Sequence, residues 1–231
     1  MIKIENVEVL GWEHAIRGMR NPMNSWDYSD SYFWDKDSKV NEPWGINATV
    51  SNELVNVHIG EKDHNLMMRL ANGGPVHAKY RRMIVVYLDI TAPLYWWKEF
   101  DTYKVGTVAN SCSTMHKIHD KEFTLEDFSC EHLGPPSMRI LKNIIKCMND
   151  YREEFIEDNA KHNWWQMIQL LPSSYNQKRT VMLNYEVLVG IYKWRKNHKL
   201  DEWREFCEWI ESLPYSEIIT GCEDSEEVCE G

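Results

Sequence analysis

One stretch of the chain, residues 91–116, constrains the fold more than any other. It follows an apolar run, residues 83–88, that is rich in β-branched and aromatic side chains and is typical of a strand. Pro93 follows at a position where a helix can begin, and the residues after it include Trp96, Trp97 and Phe100. A polar segment, residues 110–114, comes next. A strand, an aromatic helix and a polar loop together are a common way of presenting a small-molecule site.

Length and composition predict a globular protein. The 231 residues are enough for one well-cored domain, and 43% of them are hydrophobic. No run approaches the roughly 18 apolar residues that a membrane span needs. The first ten residues alternate apolar and charged side chains, which predicts a strand and not a signal peptide, so we expect a cytoplasmic protein.

The charge of the chain is acidic and uneven. A net charge of −10 argues against general binding to nucleic-acid backbones. Residues 221–231 contain five carboxylates and no base. Two interpretations of this segment stay open: a solvated, disordered tail, or an acidic lid over a basic site.

The cysteines and histidines predict neither a disulfide framework nor a metal site. The six cysteines are scattered and form no Cys-x-x-Cys pair. Cys147 and Cys207 lie in helical apolar patterns and are interpreted as buried thiols. Cys112, His116 and His119 are ligand types, but their spacing matches no common zinc pattern. A nucleophilic Cys112 with His116 one helical turn away is a further possibility.

Periodicity and capping signals predict one α+β domain over residues 1–220 with a helical second half. Residues 24–52 have no clean period and are predicted to form a long ordered loop with short strands. Thr124 and Asp127 have the spacing of a capping signal. Helices are predicted over residues 13–19, 62–72, 137–161, 164–171, 177–197 and 201–212.

The order of these motifs resembles the flavin-dependent thymidylate synthases. Their signature, RHRxxSxNExSxRY, is preceded by Ala-Pro and an aromatic-rich helix, and here Ala92-Pro93 stands at the matching place. With one inserted residue, Thr102, Tyr103 and Lys104 fall where the family has Arg-His-Arg. Asn110 and Ser113 match the signature's Asn and second Ser.

Charged residues of that signature are replaced in this chain. Ser111 stands for its Glu, Met115 for its last Arg and His116 for its Tyr. In the family, positive charge activates the uracil carbonyl, and one lysine does not reproduce two arginines. The resemblance therefore implies that thymidylate synthesis is weak or lost, and no catalytic residue is assigned.

Two flanking stretches extend the resemblance over roughly residues 60–212. Counting back from Ala92 places His77 where the family has a flavin-contacting His, and Arg82-Met83 replaces a Glu-His pair. Near the C-terminus Asn184, Arg195, Glu202 and Arg204 match family positions, whereas Glu186 replaces an Arg.

The resemblance assigns roles to these residues. It implies that flavin (FAD) contacts come from His77, Tyr103, Lys104 and Asn184. It implies that substrate contacts come from Asn110, Ser113, Arg195, Arg204 and Arg82. Three of these residues also have alternative roles that involve no ligand. His77 would be a structural histidine, Arg195 would only complement the helix dipole, and Arg204 would form an intramolecular ion pair.

Two functions follow as hypotheses. The first is a divergent enzyme with a mixed sheet flanked by helices that acts on a pyrimidine nucleotide such as dUMP, with or without flavin. The second is a non-catalytic protein that sequesters or senses a nucleotide, as a phage signalling-nucleotide sponge would. The resemblance also implies a homotetramer with each site built from several subunits. The eleven tryptophans suit either core and subunit packing or stacking on a flat ring.

Overall fold

The computed structural model of the protein describes residues 2–34 and 56–221. Those residues form six strands and eight α-helices, an α+β arrangement that confirms the predicted fold class. The strands are β1 (Lys3–Leu10), β2 (Tyr32–Phe33), β3 (Val57–His58), β4 (Val85–Pro93), β5 (Val108–Ser111) and β6 (Asn176–Asn184). The helices are α1 (Trp12–Arg20), α2 (Glu61–Asn72), α3 (Leu94–Phe100), α4 (Pro135–Asp158), α5 (Lys161–Leu170), α6 (Tyr185–Arg195), α7 (Asp201–Glu211) and α8 (Glu217–Thr220).

Four of the strands form the main sheet, in the order β1-β4-β6-β5, and β2 pairs antiparallel with β3. In β4 the side chains of Val86, Leu88, Ile90 and Ala92 are buried, so every second residue faces the core. The strand begins two residues later than the apolar run suggested, because Met83 ends a preceding 3₁₀ segment, Ala78–Met83.

The predicted helix after Pro93 is confirmed. Pro93 is the last residue of β4 and also the N-cap of α3. Trp96, Trp97 and Phe100 of α3 are buried, and the Trp96 and Phe100 rings are stacked with centroids 5.0 Å apart. These aromatic side chains therefore belong to the core. The polar segment after α3 is not only a loop, since its first two residues, Asn110 and Ser111, are the last residues of β5.

The helix predicted over residues 177–197 is wrong in its first half. Residues up to Asn184 form β6, and α6 begins at Tyr185. Within β6 Gln177, Val181 and Leu183 are buried, which is the period-2 pattern of a strand. Gln, Lys and Arg are good helix formers, and here they concealed that pattern.

The long helix α4 also begins earlier than predicted. Gly134 is its N-cap and two prolines occupy its first turn, where their missing N–H groups cost nothing. Ser137 is thus inside the helix and does not cap it. The predicted apolar stripe is confirmed, since Leu141, Ile145 and Met148 are buried in one cluster. The Thr124–Asp127 capping box is present as well.

The chain divides into two compact units. Of the described residues, the first unit contains 2–5, 89–102 and 109–181, and the second contains 6–34, 56–88, 103–108 and 182–221. The predicted loop lies outside the described residues from residue 35 onward, and so does the acidic tail from residue 222. None of the helices in the described ranges is long and apolar enough to cross a bilayer.

Candidate functional site

An open cavity of about 860 Å³ lies in the second unit, where α1, α2 and the 3₁₀ segment Ala78–Met83 pack together. We call it the His77 cavity, because the predicted flavin-contacting histidine is one of its lining residues. Its volume is within the range of small-molecule sites. Its apolar and aromatic lining comes from Met19, Pro22, Met23, Tyr28, Leu66, Leu70, Val76, Tyr80 and Met83.

The charge of the His77 cavity is opposite to that of the protein. Lys62, Arg69 and Lys79 line it, and none of them forms an ion pair with any residue in 2–34 or 56–221. No Asp or Glu occurs among the lining residues that the structure describes. Three cations that line one cavity, with no counter-ion among the described residues, favour an anionic ligand there.

Lys79, Arg81 and Arg82 are close in the sequence but have different surroundings in the structure. Lys79 lines the cavity, whereas Arg82 is exposed and is not among the lining residues. Arg81 is only 3% exposed, and its Nη1 lies 3.7 Å from the Glu186 Oε2. Glu186 therefore neutralises part of the positive charge of the segment that contains Lys79, Arg81 and Arg82.

Arg195, the last residue of α6, lies beside two aromatic rings. Its Nε donates a hydrogen bond of 2.9 Å to the Tyr103 hydroxyl. Its guanidinium carbon is 4.7 Å from the Trp203 ring centroid and 5.7 Å from that of Tyr103. The two rings meet edge to face at 5.9 Å. This packing holds the guanidinium in one orientation, which suits arginine's planar fork for a phosphate or carboxylate.

Arg204 has intramolecular partners. Its Nη1 donates to the carbonyl oxygen of His198 at 2.7 Å, and its Nη2 forms a short ion pair with Asp201. The ion pair that the sequence allowed is thus present. Its partner is Asp201 and not the neighbouring Glu202, which is buried.

Asn184 is the N-cap of α6, with its Oδ1 accepting a hydrogen bond of 3.1 Å from the Val187 amide. Gly106 packs against it, and a Cβ on that glycine would lie 2.9 Å from the Asn184 Nδ2. Gly106 also has φ +82°, a conformation that favours glycine. Of the four predicted flavin contacts, only His77 lines the His77 cavity; Tyr103, Lys104 and Asn184 do not.

Ser113 lies in the first unit, in a smaller cavity of about 310 Å³ that we call the Ser113 cavity. Its hydroxyl oxygen accepts hydrogen bonds from the amides of Met115 and His116, at 3.1 and 2.9 Å. Asn110 is exposed on β5 and does not line this cavity. The structure therefore places Asn110 and Ser113 in one unit and the other predicted site residues in the second.

Sequence reasoning missed three residues of the Ser113 cavity, all close to or within β6. Lys178 forms an ion pair of 3.1 Å with Asp89, whose hydrogen bond raises the pKa of the lysine. Gln177 donates to the carbonyl oxygen of Cys112 at 2.8 Å, and burial raises the pKa of Tyr175. The strand pattern of β6 would have revealed Gln177 and Lys178 had it been recognised.

The cysteines differ in exposure to solvent. Cys112 is exposed in the Ser113 cavity, whereas Cys207 is buried, and that burial raises the pKa of its thiol to about 12. Cys147, also predicted to be buried, is half-buried. Within 2–34 and 56–221, no three His, Cys, Asp or Glu side chains are grouped closely enough to hold a metal ion.

No model of a known protein family matches the chain, and no curated protein matches it in sequence. Solved structures nevertheless show that the chain has the fold of the flavin-dependent thymidylate synthases. One is thymidylate synthase X (ThyX) from Helicobacter pylori with FAD and dUMP: it is 15% identical, with a TM-score of 0.64, over 96% of this chain and 99% of that chain. Another structure of the Helicobacter pylori enzyme with FAD and dUMP is 14% identical, with a TM-score of 0.62, over 94% and 99%. The fold that the sequence resemblance implied is confirmed.

Proposed function

We propose that this protein is cytoplasmic, that it binds a pyrimidine nucleotide together with a flat anionic cofactor of the flavin type, and that thymidylate synthesis is weak or lost. The observation that carries the proposal is the His77 cavity, whose described lining residues include Lys62, Arg69 and Lys79 and no carboxylate, in a chain of net charge −10. It occurs on a fold whose Helicobacter pylori examples are described with FAD and dUMP.

The lining of the His77 cavity fits a flavin. Lys62, Arg69 and Lys79 would contact the phosphates, and the apolar lining would contact the flat ring system. A bound reduced flavin would supply hydride to the nucleotide. Tyr103, Lys104 and Asn184 remain proposed flavin contacts through the family resemblance alone.

The nucleotide would be held chiefly by Arg195. Tyr103 and Trp203 already orient its guanidinium, so less side-chain entropy is lost when a phosphate binds. Asn110 and Ser113 are proposed contacts of the nucleotide. In the family each site is assembled from several subunits, and we therefore propose a homotetramer. Arg82 and Arg204 are proposed as further contacts, although the guanidinium of Arg204 already has intramolecular partners.

The proposed loss of thymidylate synthesis follows from the positive charges that this chain lacks. The family's reaction needs positive charge beside the uracil carbonyl, where this chain has Thr102 and Lys104 in place of two arginines. Thr102 is uncharged, and one lysine does not reproduce two arginines. Tyr103, at the histidine position between them, accepts a hydrogen bond from Arg195 through its hydroxyl. Glu186, at another family arginine position, instead forms an ion pair with Arg81.

The replacement of these charged residues also favours a second candidate function. A protein that keeps the fold and the phosphate-binding arginine but lacks the activating charges could sequester or sense a nucleotide without transforming it, as a phage nucleotide sponge would. Flavin content separates the two candidates, because only the enzyme requires a redox cofactor.

The test is the absorption spectrum and native mass spectrum of protein purified from cells. A flavin spectrum with one flavin per subunit supports the flavin-binding proposal, whereas a bound nucleotide without flavin supports the sponge. Absence of binding to FAD, FMN, dUMP and cyclic nucleotides in titrations would overturn both. Rescue of a thymidine-requiring bacterial strain would overturn the proposed loss of synthesis.

A further inference from the structure

The loop between α1 and β2 is anchored by a buried ion pair. Arg20 is 5% exposed and Asp63 is fully buried, and the Arg20 Nε lies 2.6 Å from the Asp63 Oδ1. The Nη1 and Nη2 of Arg20 donate to the carbonyl oxygens of Ser25 and Tyr28, at 3.1 and 3.2 Å. One guanidinium therefore binds both α2 and the loop backbone at two points.

Asp63 holds the far end of the same loop. Its Oδ2 accepts hydrogen bonds from the hydroxyls of Ser29 and Ser31, at 2.6 and 2.7 Å, and from the amides of Asp30 and Ser31, each at 3.2 Å. Asp30 in turn accepts from the amides of Lys62 and Asp63 at the start of α2. Opening the loop would leave a buried carboxylate without these donors, which is energetically costly.

Three large side chains on this anchored backbone are exposed. Met23 is 81% exposed, Tyr28 67% and Trp26 48%. Met23 and Tyr28 line the His77 cavity; Trp26 does not, and its Nε1 donates to the Asn21 side chain at 2.8 Å. A fixed backbone that holds a tyrosine exposed beside a basic cavity has the properties of a preorganised binding surface.

We propose that Tyr28 is a ligand contact of the His77 cavity, that its ring stacks on the flat ring of a phosphate-bearing ligand, and that Arg20 and Asp63 are the positioning residues that hold it there. This inference rests on the proposed function. The two halves of the ligand match two halves of the site: Lys62, Arg69 and Lys79 for the phosphates and Tyr28 for the ring.

The contact is tested with Tyr28→Ala and the matched control Trp26→Ala, which alters an exposed aromatic residue of the same loop outside the cavity lining. The probes are FMN, FAD and dUMP, titrated by flavin fluorescence or calorimetry. We expect Tyr28→Ala to raise Kd about tenfold or more for a probe that the wild type binds. Tyr28→Phe should stay near the wild-type value, and Trp26→Ala within about twofold.

The titrations distinguish a failure of the Tyr28 contact from a failure of the proposed function. Wild-type binding that Tyr28→Ala leaves unchanged, or that Trp26→Ala weakens equally, overturns the Tyr28 contact and leaves the proposed function standing. A wild type that binds none of the probes overturns the proposed function, and the ligand contact of Tyr28 with it.

The positioning role is tested with the double variant Ser29→Ala and Ser31→Ala, which removes two loop donors and leaves the Arg20–Asp63 pair intact. We expect faster hydrogen exchange at the amides of Asp30 and Ser31 in the ligand-free protein, together with a Kd raised about threefold or more. The melting temperature should fall by several degrees, because two hydrogen bonds to the buried Asp63 carboxylate are lost, and the protein should remain folded at 25 °C. Unprotected wild-type amides at these positions, or an unchanged Kd, would overturn the positioning role.

Discussion

Replacement of Arg195 by alanine tests the proposed function most directly. A guanidinium–phosphate contact is a charge-assisted hydrogen bond, and its loss costs about 2 kcal/mol or more in binding. That energy corresponds to a Kd raised roughly 30-fold. Arg195→Lys should recover only part of the affinity, since an ammonium group keeps the charge and loses the fork.

The structure also sets the effect of Arg195→Ala on stability. The variant loses a half-buried hydrogen bond to Tyr103 and a cation–π contact with Trp203, each worth about 1 kcal/mol. We therefore expect a melting temperature lowered by several degrees and a folded protein at 25 °C. Tyr103→Phe removes only the hydroxyl acceptor, so it should raise Kd about fivefold, equivalent to about 1 kcal/mol.

The assay is calorimetric titration of dUMP and candidate cyclic nucleotides, with thermal melts of every variant. Arg204→Ala is the contrasting arginine variant, because its guanidinium is already bonded to His198 and Asp201. We expect it to change Kd less than Arg195→Ala does. If the wild type binds one of these nucleotides and Arg195→Ala binds it equally well, the phosphate role of Arg195 is refuted.

Three further predictions follow from pKa values and assembly. Burial acts to raise the pKa of Asp63, but hydrogen bonds from Ser29, Ser31 and Arg20 lower it overall, so its stabilising contribution is present above about pH 4 and lost as pH falls further. When the stability of Asp63→Asn is measured as the pH is lowered, it should not show this loss. A loss of stability equal to that of the wild type would contradict the prediction. At neutral pH, iodoacetamide should alkylate Cys112 and spare Cys207, as peptide mass spectrometry will show. Light scattering should give a tetramer, and a stable monomer at micromolar concentration would refute the assembly.

Local patterns in the sequence determined several elements. The apolar run before Pro93, the aromatic residues after it and the Thr124–Asp127 spacing each specify a structure through neighbours a few residues apart. The order of motifs around Ala92 implied the fold that the Helicobacter pylori structures share. Such features are readable because their periodicity and caps do not depend on distant contacts.

The tertiary structure decided the rest. Residues 176–184 form a strand because they pair within the main sheet, although several of them are good helix formers. The Arg195–Tyr103 and Arg20–Asp63 contacts join residues 92 and 43 positions apart, and no local pattern encodes such pairs. The orientation of the phosphate-binding candidate and the anchoring of the loop that bears Tyr28 therefore emerge only in three dimensions, since long-range packing decides which charged side chains meet and which stay open to a ligand.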